Sequence, residues 1–225
     1  MSEAAAPQLL IEPDHIVVAA RNLDEGAAWC EATLGVRPVE GGKHANMGTH
    51  NRLLGLGDGS YRRMYLEIIA VDPEAPAPAR ARWFDLDSPR LRAEIAAGPR
   101  LVHWVARCND IDRAIAAERA AGHDPGEAIA AERMTAHGLL RWRITLGDDG
   151  ARPAAGAVPL LIEWGDVHPC DRLPASAVSV ARIVIGGVDA ALAAHLGVAA
   201  AASPGGPSLS VSFVTPRGRV ELQAA

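Results

Sequence analysis

Two segments of this chain repeat the same order of residues, and this repeat limits the possible folds more than any other feature. In residues 14–24 an apolar run contains His15, and in residues 101–112 an apolar run contains His103. An aliphatic residue and an aspartate follow each histidine by eight and nine positions, and an alanine-rich amphipathic stretch comes next. A buried strand followed by an amphipathic helix gives this pattern, so the chain is predicted to contain a duplicated strand-helix unit.

Each copy also carries a glutamate inside a later apolar strand. Glu67 follows His15 by 52 positions, whereas Glu163 follows His103 by 60 positions. The additional residues of the second copy fit in the Gly-, Ala- and Pro-rich run at 148–157, which is predicted to form a loop. Each half therefore supplies one histidine and one glutamate in the same order.

Turn and helix-capping signals divide each copy into a strand, a helix and three further strands. The predicted fold class is α+β, with paired βαβββ modules that form a curved mixed sheet around a central cavity. A shorter C-terminal segment without the histidine is predicted to add a partial third βαββ unit. The predicted boundaries are 13–72 for the first module, 73–99 for the connector, 100–166 for the second module and 176–225 for the partial C-terminal module.

The alternation of side chains along a strand decides whether the four polar residues can meet. Taking the residues next to each of them as the helix-facing ones, we expect all four to lie on the face that the helices leave uncovered: His15, Glu67, His103 and Glu163. Two imidazoles and two carboxylates suit an octahedral divalent ion, and Ni, Fe, Mn, Co and Zn all remain possible. The alternative is that the histidines are hydrogen-bonded core residues and the glutamates line a polar cavity.

Basic residues in the third strand of each module are further candidates for the cavity. The predicted substrate-binding residues are His50, Arg52, Arg141 and Arg143. Guanidinium groups bind carboxylate or phosphate bidentately, which suits an acidic substrate. The alternative is that they are ordinary surface residues.

Composition excludes several other kinds of function. A chain of 225 residues with a formal net charge of −5 and no run of basic residues is not expected to bind nucleic acid or an anionic membrane. Residues 1–7 show no targeting signal, so we expect a cytoplasmic protein. The three cysteines are odd in number and lack Cys-x-x-Cys spacing, which argues against a disulfide framework or a thiolate zinc site. Small-molecule chemistry is the expected function.

The paired modules, with histidine in the first strand and glutamate in the last, resemble the vicinal oxygen chelate superfamily and most of all its glyoxalase-like branch. The resemblance covers residues 14–166. Known members include glyoxalase I, extradiol dioxygenases and metal-free antibiotic-binding proteins such as the bleomycin resistance protein. The resemblance implies a four-ligand metal site of the glyoxalase I type at His15, Glu67, His103 and Glu163, or a dioxygenase-type set of His15, His103 and Glu163.

The function implied by this resemblance is that of a divalent-metal-dependent lyase or isomerase acting on a small, oxygen-rich and possibly acidic metabolite. The metal would chelate two neighbouring oxygens, and Glu163 or Glu67 would act as the catalytic base. Two alternatives stay open: a non-haem iron dioxygenase, and a metal-free binding protein. A homodimer is also possible.

Overall fold

The computed structural model describes residues 8–135 and 138–224. Residues 1–7, on which the prediction about targeting rests, lie outside this part of the chain. The first module contains β1 (Ile11–Ala19), α1 (Leu23–Leu34), β2 (Val39–His44), β3 (Thr49–Gly55) and β4 (Tyr65–Val71). The second module contains β5 (Arg100–Cys108), α3 (Ile111–Ala120), β6 (Glu127–Thr135), β7 (Gly138–Leu146) and β8 (Leu160–Trp164), and the connector before it carries α2 (Pro89–Ala96).

The two modules form one mixed sheet of eight strands in the order β2-β3-β4-β1-β5-β8-β7-β6. Within each module the first and last strands are parallel neighbours, and the modules are joined by the antiparallel pairing of β1 with β5. The two copies of the duplicated strand, β1 and β5, thus lie side by side at the centre of the sheet, and each has a neighbouring strand on both sides. The predicted α+β fold with a curved mixed sheet is confirmed.

The sheet separates two apolar clusters, because alternate side chains of each strand enter opposite ones. Ile16, Leu66 and Trp104 pack on the side of the helices, whereas Val17 and Ile69 pack on the concave side. The duplicated strand is therefore buried on both faces, which explains its continuous apolar run.

Local signals in the sequence set the bounds of the first helix. The side chain of Asn22 caps α1 by accepting a hydrogen bond of 2.9 Å from the backbone N–H of Glu25. The helix ends at Gly35, whose φ of 78° is the left-handed conformation that glycine adopts most readily. Both features agree with the helix expected from the sequence.

The C-terminal unit contains β9 (Ser179–Gly186), α4 (Ala190–His195), β10 (Ala199–Ala201), β11 (Ser208–Thr215) and β12 (Gly218–Gln223). Its strands form a second sheet in the order β10-β9-β11-β12. The short β10 comes in addition to the predicted elements and gives this unit the same element order as the other two. Its apolar face, which includes Ile183, Val211 and Phe213, joins the cluster on the helix side, so the unit covers the outside of the large sheet.

The connector covers part of the concave side. Trp83 and Phe84 are buried there, and Phe84 has a left-handed backbone with φ of 60°. A non-glycine residue in this conformation is held by its surroundings. In the part of the chain that the structure describes, no helix is both long and apolar enough to cross a membrane.

Candidate functional site

A small cavity opens on the concave side of the eight-stranded sheet. Its polar lining consists of His15, His44, Asn51, Tyr65, Glu67 and Arg133. Its apolar lining consists of Leu53, Trp83, Phe84, Leu140, Trp142, Ile144, Ile162 and Trp164. The volume is about 30 Å³, which has room for one or two water molecules. A polar cluster walled by four aromatic side chains is thus held in the core of the sheet.

A β-bulge in β1 brings Asp14 and His15 to the same side of the strand. Pro13 pairs with Ala106 and His15 pairs with Val105, so Asp14 is the extra residue. Asp14 Oδ1 lies 2.6 Å from His15 Nδ1, and both side chains are buried. The ring of His15 also stacks on Tyr65 with the centroids 4.6 Å apart. This arrangement leaves His15 Nε2 directed toward Glu67, whose Oε2 is 3.9 Å away.

Asp14 is held as a buried carboxylate by three neighbouring rings. Besides His15, it accepts hydrogen bonds from His168 Nε2 at 2.8 Å and from Trp164 Nε1 at 3.2 Å. Burial by itself raises the pKa of Asp14, but the hydrogen bonds from His15 and His168 outweigh burial, so the pKa lies below its ordinary value of 3.8. An ionised Asp14 keeps a proton on His15 Nδ1, and in the neutral ring Nε2 then carries the lone pair.

Glu67 is fixed by a second chain of hydrogen bonds. Asn51 Nδ2 donates to Glu67 Oε1 at 2.5 Å and to His44 Nε2 at 3.3 Å. Asn51 Oδ1 accepts from the backbone N–H of Gly42, which assigns the orientation of the amide. His44 Nδ1 therefore carries the proton that Thr49 Oγ1 accepts at 3.0 Å. Burial, with a smaller effect of the nearby charge of Arg133, lowers the pKa of His44 to about 3, so His44 is neutral at physiological pH.

Arg133 of β6 supplies the positive charge of the cavity. Its Nη1 donates to Asn51 Oδ1 at 3.1 Å, whereas its buried Nε has no hydrogen-bond partner among the described residues. Burial lowers the pKa of Arg133, but a guanidinium remains charged in proteins. A buried N–H without a partner is rare, and a water molecule or a ligand atom can satisfy it.

His103, a predicted metal ligand, does not line the cavity. Its Nε2 accepts a hydrogen bond of 3.1 Å from the backbone N–H of Leu160, and its Nδ1 is buried without a partner among the described residues. Burial, and then the charges of Arg152 and His15, lower the pKa of His103 well below its ordinary value. In this structure His103 thus makes the hydrogen bond of a core histidine, with its Nε2 accepting from Leu160.

Glu163, the other predicted ligand of the second module, lies on the opposite face of β8. Ile162 and Trp164 line the cavity, so the alternation directs Glu163 outward. There it accepts a hydrogen bond of 3.4 Å from Arg143, which also pairs with Asp112 in the first turn of α3. The expectation that Glu163 shares the uncovered face is wrong, because its neighbours Ile162 and Trp164 face the cavity and not the helices.

The strand register explains why the second module lacks a cavity carboxylate. Glu67 pairs with Val17, which is the second residue after His15. The second residue after His103 is Val105, and its partner in β8 is Leu160. Leu160 thus occupies the position of Glu67, and Glu163 lies three residues farther along the strand.

The predicted four-ligand metal centre does not fit this arrangement. Of the four residues, His15 and Glu67 face one space, whereas His103 is engaged with a backbone amide and Glu163 is on the other face. Among the described residues no group of three or more His, Cys, Asp and Glu side chains is placed to hold a metal ion. The same facts count against the dioxygenase-type set.

The predicted substrate-binding residues lie outside the cavity. Arg52 pairs with Asp24 at the start of α1, and His50 lies in an outer depression with Arg52. Arg141 is exposed and pairs with Glu132, and Arg143 has the partners given above. None of these four residues lines the cavity, and the three arginines each form an ion pair.

Several cavity residues were missed in the sequence, and the strand pattern contains a signal for one of them. Leu53 is the direct partner of Glu67 and lines the cavity, so Asn51, two residues earlier, shares its face. An inward Glu67 therefore predicts an inward Asn51 and an outward His50 and Arg52. Arg133 gives no such signal, because no residue of β6 is fully buried. Asp14 is brought in by the bulge.

Comparison with known proteins places this chain in a family. The model of the glyoxalase-like domain matches residues 14–200, which is most of the chain. The chain belongs to the glyoxalase-like domain family. The predicted family is thereby confirmed, and no curated protein sequence matches the chain.

One solved structure shares the fold, and two others show a weaker similarity. A hypothetical protein from Staphylococcus aureus is 14% identical with a TM-score of 0.55, and the match covers 95% of this chain and 85% of that one. Methylmalonyl-CoA epimerase from Mycobacterium tuberculosis is 17% identical with a TM-score of 0.40, covering 69% and 88%. A Streptomyces coelicolor methylmalonyl-CoA epimerase variant bound to 2-nitronate-propionyl-CoA is 19% identical with a TM-score of 0.42, covering 69% and 96%.

Proposed function

We propose that this glyoxalase-like protein is a lyase or isomerase that moves a proton on the oxygen-bearing end of a small metabolite. The observation that carries the proposal is the buried Asp14–His15 pair, which directs His15 Nε2 into the cavity, 3.9 Å from Glu67 Oε2. A proton-transfer site needs a base whose lone pair faces the substrate and whose orientation is fixed. The pair meets both conditions.

His15 is suited to be the base because Asp14 determines its tautomer. The ionised Asp14 binds the proton on Nδ1, which leaves the lone pair on Nε2. When Nε2 takes a proton from the substrate, the charge of Asp14 stabilises the imidazolium that forms. Asp14 is a positioning residue here, since it acts through His15.

Glu67 is the second group that can hold the proton. Asn51 binds its Oε1, so Oε2 is the oxygen that faces His15. In this proposal His15 and Glu67 pass a proton to and from a carbon next to a carbonyl of the substrate. The chain's own residues account for the proton transfer, and no step passes through a metal.

The walls of the cavity strengthen these interactions. Trp83, Phe84, Trp142 and Trp164 keep water away from the polar groups, and a charge pair is stronger where water is excluded. The second candidate function is the binding of a small molecule without a reaction, and the apolar walls favour it.

The experiment is proton exchange in heavy water, since it needs no knowledge of the product. The protein is incubated in D₂O with a panel of 2-oxo acids and 2-hydroxy carbonyl compounds, and the loss of C–H signals is followed by ¹H NMR. We expect exchange with at least one compound, and a fall of about 100-fold or more in His15→Gln and in Glu67→Gln. Glu163→Gln, which changes a carboxylate on the other face of β8, should exchange like the wild type.

Two further arms separate the candidate functions. A chelator arm, and arms with Ni, Fe, Mn, Co or Zn added, show whether a metal is needed. Exchange that depends on an added metal would overturn the metal-independent proposal. Tight binding of a panel compound with no exchange in any arm would establish the binding function and refute the enzymatic one.

A further inference from the structure

A second cavity opens beside the first, and three residues line both: Leu53, Arg133 and Leu140. Its volume is about 380 Å³, in the range of ligand-binding pockets, whereas the inner cavity has about 30 Å³. We call the second cavity the outer groove. The inner cavity has room for a carbonyl group but not for a whole metabolite, so a substrate that reaches His15 must have most of its atoms elsewhere.

The outer groove has an apolar surface with a cation at its inner end. Its apolar lining includes Val39, Leu139, Val167, Leu173 and Pro174. Its charged side chains are Arg133 at the inner end and the exposed Glu40 and Arg172. His168, which also lines the groove, donates its Nε2 proton to Asp14. An apolar groove with a net positive charge is complementary to an amphipathic anion.

Arg133 is the group that can bind the anion. Among the described residues no carboxylate forms an ion pair with Arg133, and its buried Nε lacks a hydrogen-bond partner. One terminal nitrogen of Arg133, Nη1, donates to Asn51. Its other N–H groups have no partner among the described residues and can form a charge-assisted pair with a carboxylate. Gly42 permits this position of the guanidinium, because a Cβ there would lie 2.7 Å from Arg133 Nη1.

We infer that the substrate is a carboxylate with an apolar chain, bound through its carboxylate to Arg133 and through its chain to the outer groove. The carbon next to the carbonyl, which is C3 in a 2-oxo acid, then enters the inner cavity, where His15 and Glu67 act on its proton. This inference names the substrate class of the proposed proton-transfer site and so rests on that function. A 2-oxo acid with a chain of several carbons has the required form.

The test is isothermal titration calorimetry of the whole chain with butanoate, hexanoate, octanoate and octanamide. We expect each methylene added to the carboxylate to strengthen binding about fourfold. Octanamide should bind at least about tenfold more weakly than octanoate, because the charge-assisted pair is lost. Arg133→Gln should remove this difference between octanoate and octanamide. Arg219→Gln, which changes an exposed arginine of β12, is the matched control and should bind octanoate like the wild type.

Further variants keep the test decisive if Arg133→Gln does not fold. Arg133→Lys retains the charge but not the planar set of donors, so octanoate should bind with intermediate affinity. Leu173→Ser alters the groove but not the inner cavity and should weaken octanoate more than butanoate. Equal binding of octanoate and octanamide by the wild type, or an equal effect of Leu173→Ser on both acids, would overturn the inference.

Proton exchange on 2-oxooctanoate separates this inference from the proposed function. If octanoate binds as expected but 2-oxooctanoate shows no exchange that depends on His15, the proposed function fails and the groove assignment stands. If short 2-oxo acids exchange in a His15-dependent way but octanoate gains no affinity from its chain, the groove assignment fails and the function stands.

Discussion

Replacing Asp14 with Asn tests the buried network at the cavity through stability alone, without any substrate. Asp14 accepts hydrogen bonds from His15 Nδ1, His168 Nε2 and Trp164 Nε1. An asparagine has one acceptor oxygen, and its amide N–H groups would face ring donors. Either one buried ring donor loses its partner or His15 must move its proton to Nε2, at a cost of about 1–3 kcal/mol, and the remaining hydrogen bonds lose their charge assistance.

We expect Asp14→Asn to lower the free energy of unfolding by about 3 kcal/mol. For a chain of this size that corresponds to a fall in Tm of roughly 6–12 °C. Urea denaturation and thermal melting followed by circular dichroism measure the change. Asp148→Asn is the matched control, because Asp148 is exposed and lies 3.7 Å from its partner Arg80. The control should show no measurable change.

The pH dependence of the stability difference between the wild type and Asp14→Asn provides a second test. The pKa of Asp14 is lower in the folded state than in the unfolded chain, so its contribution to stability is present above its ordinary value of 3.8 and is lost as the pH falls below it. The difference between wild type and Asp14→Asn should be complete at pH 7 and should narrow below about pH 4. A variant as stable as the Asp148→Asn control at pH 7 would refute the account of the network.

Three other predictions follow from contacts in the structure. Glu67→Gln should abolish proton exchange while Glu163→Gln leaves it unchanged, which NMR in D₂O measures; equal effects would place both residues in one site. Gly26→Ala in α1 should lower the free energy of unfolding by about 1–3 kcal/mol, because the added Cβ would clash with Ile68; a more stable variant in urea would contradict this packing. Burial raises the pKa of the Cys30 and Cys108 thiols to about 12, so these two thiols should react with a disulfide reagent at pH 8 far more slowly in the native protein than in the urea-unfolded chain; their rapid reaction would contradict this burial.

The fold could be predicted from the sequence because the two copies repeat the same motif and the same order of strands and helix. The histidine, the aliphatic-Asp pair and the amphipathic helix recur in the same order, and each strand is bounded by turn residues. The periodicity of apolar residues is the strongest local signal of secondary structure, and the same pattern in both halves reinforces it. Asn22 and Gly35, residue types that commonly cap helices, mark the ends of α1.

Only the part of the candidate site that the first module supplies could be predicted, because the rest depends on the register between β5 and β8. His15 and Glu67 face one space, as the alternation in β1 and β4 indicates. Similar spacing in the second half suggested an equivalent pair, but the partner of Val105 is Leu160, and Glu163 lies beyond it. Which residue of one strand lies beside which residue of another is set by loop lengths and bulges that a single sequence does not specify.

The bulge at Asp14 is a further feature that strand alternation does not predict. A regular strand would place Asp14 and His15 on opposite faces, and the bulge brings Asp14 Oδ1 to 2.6 Å from His15 Nδ1. Pro13 is the one hint in the sequence, because proline lacks the N–H of a ladder hydrogen bond and occurs within sheets at bulges.

The tautomer of His15 is the most direct test of the central claim that Asp14 and His15 form the acid–base group of the cavity. Long-range ¹H–¹⁵N NMR of protein with ¹⁵N-labelled histidine distinguishes a protonated ring nitrogen from one that carries a lone pair. At pH 8 the account predicts a protonated Nδ1 and an unprotonated Nε2 for His15, and the loss of this preference in Asp14→Asn. A His15 with its proton on Nε2, or a tautomer that Asp14→Asn leaves unchanged, would contradict it.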